Sequence, residues 1–214
     1  MTQRAELISK VVLFMVLAVP FVGLTVAAFT DGLGGNPVEK LTHETGEWAL
    51  RLTLATLTVT PMRRLFGWNW PVRQRRMLGL YAFFYAMMHF TTYLWLDQFF
   101  DWAAIVEDLI KRPYIALGFA AVLLMLPLAM TSPHGMVRKL GGQRWRRLHR
   151  LVYPMAILGV LHYAWLVKAD YREPFVYAAI LAVLLLTRVR WRSQLPTAAD
   201  STTRETTRRT SDQT

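Results

Sequence analysis

The chain has 214 residues, of which 54% are hydrophobic and 18% charged, and its mean hydropathy is +0.26. This composition is too apolar for a soluble domain of this length, and several runs approach the roughly 20 residues that an α-helix needs to cross a bilayer. The chain contains no cysteine, which excludes disulfides, iron–sulfur clusters and thiolate ligands. Any redox or metal chemistry must therefore use histidine, methionine or carboxylate.

Six apolar stretches are predicted to be membrane-spanning helices of a single all-α bundle. The first is interpreted as a retained helix, because its apolar run is longer than that of a signal peptide. Residues 1–190 are predicted to form this transmembrane domain, and the polar residues 191–214 a disordered cytoplasmic tail that cannot bury a core. The predicted spans cover about residues 7–29, 48–62, 77–96, 113–131, 148–167 and 174–190.

The net charge of +11 is distributed unevenly between the connections. Nineteen of the 25 Lys and Arg residues lie in the two termini and in the connections between spans two and three and between spans four and five. The other connections carry ten acidic residues, and one of them, residues 97–113, has the pattern of an amphipathic helix lying on the outer surface. Because cytoplasmic loops carry the Lys and Arg excess, both termini are predicted to be cytoplasmic, and nucleic-acid binding is disfavoured.

Two histidines lie inside predicted spans, His89 in the third and His162 in the fifth. Both spans run outward, and at 1.5 Å per residue the two side chains lie roughly 18 and 21 Å from the inner ends. Two imidazoles at one depth on different helices are what a b-type haem requires. Polar bridging between helices and a proton or ion pathway remain alternatives, although no span contains an interior carboxylate of the kind that proton relays use.

His149 lies near the predicted cytoplasmic surface, 13 residues before His162. On an ideal helix the two would not share a face, but Pro154 could bend the helix. A second haem or an electron donor would be expected at this depth. The position 13 residues before His89 is Arg76, so a second haem has no obvious second ligand.

Arg51 is the one charged residue inside the second predicted span, on its outer side. It could pair with a haem propionate, or it could extend to the outer membrane interface. His43 and His134 are interpreted as solvated loop residues. The sequence contains no Walker motif and no strand-flanked G-x-G-x-x-G, so electrons would have to come from another molecule.

Four stretches carry a resemblance to a known family. They are GLGGNPVEKLTHETGEWALRLTLATLTVTP, RRMLGLYAFFYAMMHFTTY, KRPYIALGFAAVLLMLPLAMTS and RWRRLHRLVYPMAILGVLHYAW. In order and spacing, over about residues 30–190, the chain resembles the haem-binding membrane subunit of the periplasmic protein methionine sulfoxide reductase system, the MsrQ (YedZ) family. This family is a compact relative of the ferric reductase and NADPH oxidase membrane domains.

The resemblance implies a six-helix inner-membrane cytochrome b that relays electrons to a periplasmic molybdopterin reductase, which repairs oxidised methionines. His89 and His162 match the ligands of one haem b, and His149 matches a further haem-linked histidine. Flavin mononucleotide (FMN) is a further cofactor by resemblance only, and the electron donor would be quinol or a cytoplasmic flavin reductase. The larger oxidases have two histidines on each of two helices, and Arg76 departs from that pattern.

Two other functions remain open at this point. A stand-alone ferric reductase or quinone-linked cytochrome b would keep the haem but need no dedicated partner. A transporter or scaffold without a cofactor would use the histidines only to bridge helices.

Overall fold

The computed structural model describes residues 3–167 and 171–193, without the side chains of His134 and residues 189–193. All regular structure in these residues is helical, which confirms the all-α prediction. A π-helical segment, Thr92–Asp97, continues α3, and a 3-10 turn, His149–Leu151, precedes α8. The α-helices are α1 Gln3–Phe29, α2 Pro37–Phe66, α3 Trp70–Thr91, α4 Trp102–Lys111, α5 Pro113–Met130, α6 His134–Leu140, α7 Gly142–Leu148, α8 Val152–Leu166 and α9 Arg172–Ser193.

Six helices in the described part of the chain correspond to the six predicted spans: α1, α2, α3, α5, α8 and α9. Two of them, α1 and α5, are long and apolar enough to cross a membrane by length and composition. The count of six spans is consistent with the helices and stays a prediction. The predicted tail falls mostly on residues 194–214, which lie outside the described residues, and α9 continues through Ser193.

The second predicted span was too short, because hydropathy detects only the apolar middle of α2. Pro37 occupies the first turn, and the side chain of Asn36 accepts a hydrogen bond from the Glu39 backbone N–H. At the other end Gly67 has a left-handed backbone, with φ +68°, and its N–H bonds to the Arg63 carbonyl. These caps extend α2 by polar turns at both ends.

The fifth predicted span also differs at its inner end. The chain is helical from Gly142, but the 3-10 turn at His149–Leu151 separates α7 from α8. Pro154 lies in the first turn of α8, where its missing N–H costs no helical hydrogen bond. The rotation expected between His149 and His162 on one ideal helix therefore does not apply.

The bundle is built around two antiparallel helix pairs, α2 with α3 and α5 with α8. Thr42 of α2 lies beside His89 of α3, and Tyr114 of α5 lies beside His162 of α8. Helix α9 packs on α2 and α8 through a buried apolar cluster that includes Leu57. The pairing brings the C-terminal ends of α3 and α8 together.

Helix α1 lies along α3 and exposes most of its apolar side chains, as a lipid-facing helix would. It contacts Tyr85 of α3, a fully buried residue whose hydroxyl donates to the Leu17 carbonyl at 2.8 Å and accepts from the Phe21 N–H at 3.1 Å. The hydroxyl is therefore inserted between two backbone groups of α1 that would otherwise pair, next to Pro20.

The predicted amphipathic helix at residues 97–113 is present as α4, capped by Asp101. Trp102, Val106 and Ile110 are 66%, 55% and 76% exposed and lie four residues apart, on one face of the helix. Ile105 and Asp108 face the bundle. This exposed apolar face suits a membrane surface, which stays a prediction for α4.

Candidate functional site

His89 and His162 face one another near the C-terminal ends of α3 and α8. Their ring centroids are 6.0 Å apart, and the ring planes make an angle of 79°. The two residues come from different helix pairs and from positions 73 residues apart in the sequence. The predicted common depth of the two histidines therefore agrees with the structure.

A backbone carbonyl holds each ring by its Nδ1 atom. His89 Nδ1 lies 2.8 Å from the Thr42 carbonyl oxygen, and His162 Nδ1 lies 2.6 Å from the Tyr114 carbonyl oxygen. Since a carbonyl can only accept, Nδ1 must carry the proton, which leaves the lone pair on Nε2. Metal-binding histidines commonly have this arrangement, because the outer hydrogen bond fixes the tautomer and the orientation of the ring.

The two rings line a cavity of about 260 Å³ between the helix pairs. Most of the wall is apolar, and the charged residues at it are Glu47, Asp97 and Arg112, with His43 also on the wall. Such a wall suits a large apolar ligand with a few polar groups at one edge. The lining from the helix pairs includes Ala86, Phe90, Phe119, Val122, Met155 and Gly159.

The spacing of the rings matches a metal held between two imidazoles. An ion bound to both Nε2 atoms at about 2.0 Å, the usual distance for imidazole, sets ring centroids roughly 6 Å apart. The described residues contain no group of three or more His, Asp or Glu that could hold a metal ion alone. A haem needs only two axial ligands from the protein, so the donor set at His89 and His162 fits a haem better than a bare metal.

Arg51 lies near this cavity but is not among its lining residues. Its guanidinium forms an ion pair with Glu47 and donates a hydrogen bond to the Tyr177 hydroxyl at 3.0 Å. Its role toward a propionate stays a prediction. Arg112, which sequence analysis did not single out, lines the cavity and pairs with Asp108 at 3.2 Å. Its position just before Pro113, at the start of α5, is the signal that could have identified it.

A second cavity of about 580 Å³ lies at the opposite end of the bundle, where the basic connections meet. It shares Thr53, Met125 and Met155 with the first cavity, so the two are adjacent. None of its lining residues is acidic, whereas four arginines line it. These arginines are Arg75, Arg76, Arg146 and Arg150.

His149 lies in this second cavity and not with the other two histidines. Its ring stacks on Trp145 with centroids 3.9 Å apart, and its Nε2 atom lies 3.1 Å from the Thr131 hydroxyl. Arg76, the residue 13 positions before His89, lines the same cavity. The role of His149 as a haem ligand stays a prediction. Nothing is described of the His134 side chain, at the start of α6.

Comparison with known proteins identifies the family. The profile of the ferric reductase like transmembrane component matches residues 45–160, and no solved structure matches. A protein of Herminiimonas arsenicoxydans is 53% identical over 184 residues, covering 85% of this chain and 84% of its own length. One of Rhodospirillum rubrum is 52% identical, covering 85% and 88%, and one of Xanthomonas campestris is 56% identical, covering 75% and 73%.

All three relatives bear the name protein-methionine-sulfoxide reductase heme-binding subunit MsrQ. The range matched by the family profile, residues 45–160, contains His89 and His149 and ends two residues before His162. Identity above one half over most of both chains cannot arise from shared hydropathy alone. The chain therefore belongs to the MsrQ family of ferric-reductase-like transmembrane proteins.

Proposed function

We propose that this chain is a membrane cytochrome that binds one haem b between His89 and His162 and relays electrons to a methionine sulfoxide reductase. The observation that carries the proposal is the pair of imidazoles 6.0 Å apart, each held by Nδ1 on a carbonyl of a neighbouring helix. The names of the relatives, which are called heme-binding subunits, support the same cofactor.

The residues around the site would each contribute to electron transfer. The haem would supply a change of one electron between ferric and ferrous iron. His89 and His162 would hold the iron through Nε2 in both states, and the apolar wall would exclude water. Arg112 would neutralise a propionate at the edge of the cavity, a role that we assign to it ahead of Arg51 because it lines the cavity.

The second cavity is the proposed site of the FMN that the family resemblance implies. Four arginines with no lining acid would compensate the charge of a phosphate, and Trp145 and His149 offer flat surfaces for an aromatic ring. A second haem ligated by His149 is the alternative there. The position of Arg76, which takes the place of a second histidine ligand, favours FMN.

The direction of transfer follows from the proposed topology. The end of the bundle that carries the arginine-rich cavity would face the cytoplasm, together with both termini, in the bacterial inner membrane. Electrons from quinol or a cytoplasmic flavin reductase would enter there. They would leave from the haem, on the acidic outer side, to a periplasmic molybdopterin-containing catalytic subunit that reduces methionine sulfoxide in proteins.

The test is the reoxidation of the reduced protein. The purified chain is reduced stoichiometrically without oxygen and mixed with the purified catalytic subunit and a peptide containing methionine sulfoxide, while the haem α band is followed. We expect complete reoxidation with all three components, and, when the peptide contains methionine instead, only the fraction whose electrons the catalytic subunit itself accepts. A haem that stays reduced in the complete mixture would contradict the proposal.

The same assay separates the alternatives. A stand-alone ferric reductase would be reoxidised by a ferric chelate at a useful rate without the catalytic subunit. A transporter or scaffold would give a colourless preparation, with no α band to follow.

A further inference from the structure

The two histidines are held by the same local construction, repeated in the two helix pairs. The carbonyl that accepts from His89 belongs to Thr42, and four residues later on α2 comes Gly46. The carbonyl that accepts from His162 belongs to Tyr114, and four residues later on α5 comes Gly118. Each acceptor is thus followed, one helical turn on, by a residue without a side chain.

Helix geometry explains why the fourth residue matters. In an α-helix the carbonyl of residue i already accepts from the N–H of residue i+4. An imidazole that also bonds to this carbonyl must lie against the helix surface beside residue i+4. The Cβ atom of residue i+4 points back toward the helix N-terminus, into the space that the ring occupies.

The distances confirm that this space is filled. A Cβ atom at Gly46 would lie 2.9 Å from His89 Nδ1 and 3.1 Å from its Cε1. At Gly118 it would lie 2.8 and 2.9 Å from the same atoms of His162. These contacts are too close for carbon against a ring atom. Because an imidazole is rigid, an alanine at either position must rotate or displace the whole ring.

Ring rotation would change the electronic structure of a haem between the histidines. When two axial imidazoles are perpendicular, they act on different iron d orbitals and leave two of these orbitals close in energy. When they are parallel, they act on the same orbital and separate the two energies. The angle of 79° between the rings is close to the perpendicular arrangement.

We propose that Gly46 and Gly118 are positioning residues that let the Thr42 and Tyr114 carbonyls fix the imidazole planes of His89 and His162 nearly perpendicular on the haem iron. The inference rests on the proposed function, since it requires a haem between the two rings. It adds the orientation of the ligands and the residues that set it.

The test is low-temperature electron paramagnetic resonance of the oxidised, detergent-purified full chain. We expect a strongly anisotropic low-spin signal with one large g value from the wild-type protein. Gly46→Ala and Gly118→Ala should shift it toward a rhombic signal with three resolved g values. Gly23→Ala on α1 and Gly135→Ala on α6 are the controls, because an added Cβ would meet nothing within 4 Å at either position and neither residue lines a cavity.

The outcomes separate this inference from the proposed function. A wild-type haem with a rhombic signal would overturn the perpendicular arrangement, and alanine variants with an unchanged signal would overturn the positioning role. If an alanine variant is recovered without haem while the controls keep theirs, the wild-type signal tests the perpendicular arrangement. A strongly anisotropic signal supports it, and a rhombic signal overturns it. A wild-type chain that binds no haem, or binds it equally after loss of either histidine, would refute the proposed function instead.

Discussion

The two cavities of the bundle share three lining residues but differ in the chemistry of their walls. The first has two imidazoles with free Nε2 atoms and a mostly apolar wall, whereas the second has four arginines, no lining acid and one histidine engaged by Thr131. A metal needs lone pairs, and an anion needs donors with positive charge. The contrast indicates that the chemistry of the surrounding wall, and not the presence of a histidine alone, separates a metal site from an anion site.

Substitution of the histidines is expected to give the largest difference between the two cavities. Removal of a residue that only orients a ligand costs about 10- to 100-fold in metal affinity, and loss of a ligand costs more. His89→Ala or His162→Ala should therefore remove haem from the purified protein, whereas His149→Ala should retain it. The haem-to-protein ratio, measured as the pyridine complex, gives the comparison. The reverse pattern would place the haem in the second cavity.

The arginines should determine the binding of FMN but not that of haem. Charge-assisted hydrogen bonds contribute about 1.5–3 kcal/mol each, so Arg146→Gln should weaken FMN binding about 10- to 100-fold. Flavin fluorescence during titration of the purified protein measures this. Arg138→Gln on α6 is the matched control, since Arg138 is exposed and is not among the lining residues. If Arg146→Gln weakens the binding of riboflavin, which has no phosphate, as much as that of FMN, an arginine–phosphate contact would be contradicted.

The midpoint potential of the haem shows whether Arg112 or Arg51 is the partner of a propionate. A positive charge beside the haem favours the ferrous state, and an exposed pair contributes up to about 1 kcal/mol, or roughly 40 mV for one electron. Arg112→Gln should lower the midpoint potential by a few tens of millivolts in a redox titration. Arg51→Gln should lower it less, because Arg51 does not line the cavity. A larger shift for Arg51 would restore it as the propionate partner.

The smallest effect is expected away from both cavities. Tyr85→Phe removes the hydroxyl between Leu17 and Phe21, and a typical hydrogen bond contributes about 0.5–1.5 kcal/mol. Thermal unfolding in detergent should show a modest loss of stability, with an unchanged haem spectrum. Tyr81→Phe, which removes a single hydrogen bond to the Phe14 carbonyl, should cost less. A changed spectrum in Tyr85→Phe would mean that α1 acts on the site.

Hydropathy and charge were sufficient to predict the helical class, the approximate positions of the long helices and the common level of His89 and His162 along the bundle, because hydropathy and residue counting along one helix are local properties of the sequence. The second cavity was not predictable, since it forms only when α3, α5 and α7 converge. No pattern in the sequence indicated the importance of Gly46 and Gly118 either. Their importance comes from a ring on another helix, 43 or 44 residues away in the chain.

The central claim is that one haem iron is held by two imidazoles. The visible spectrum of the wild-type protein, purified in detergent and recorded before and after reduction with dithionite, tests it most directly. The account predicts a Soret band that sharpens on reduction, with resolved α and β bands of a low-spin b-type haem. A protein that lacks a Soret band, although haem was supplied during expression, would contradict it.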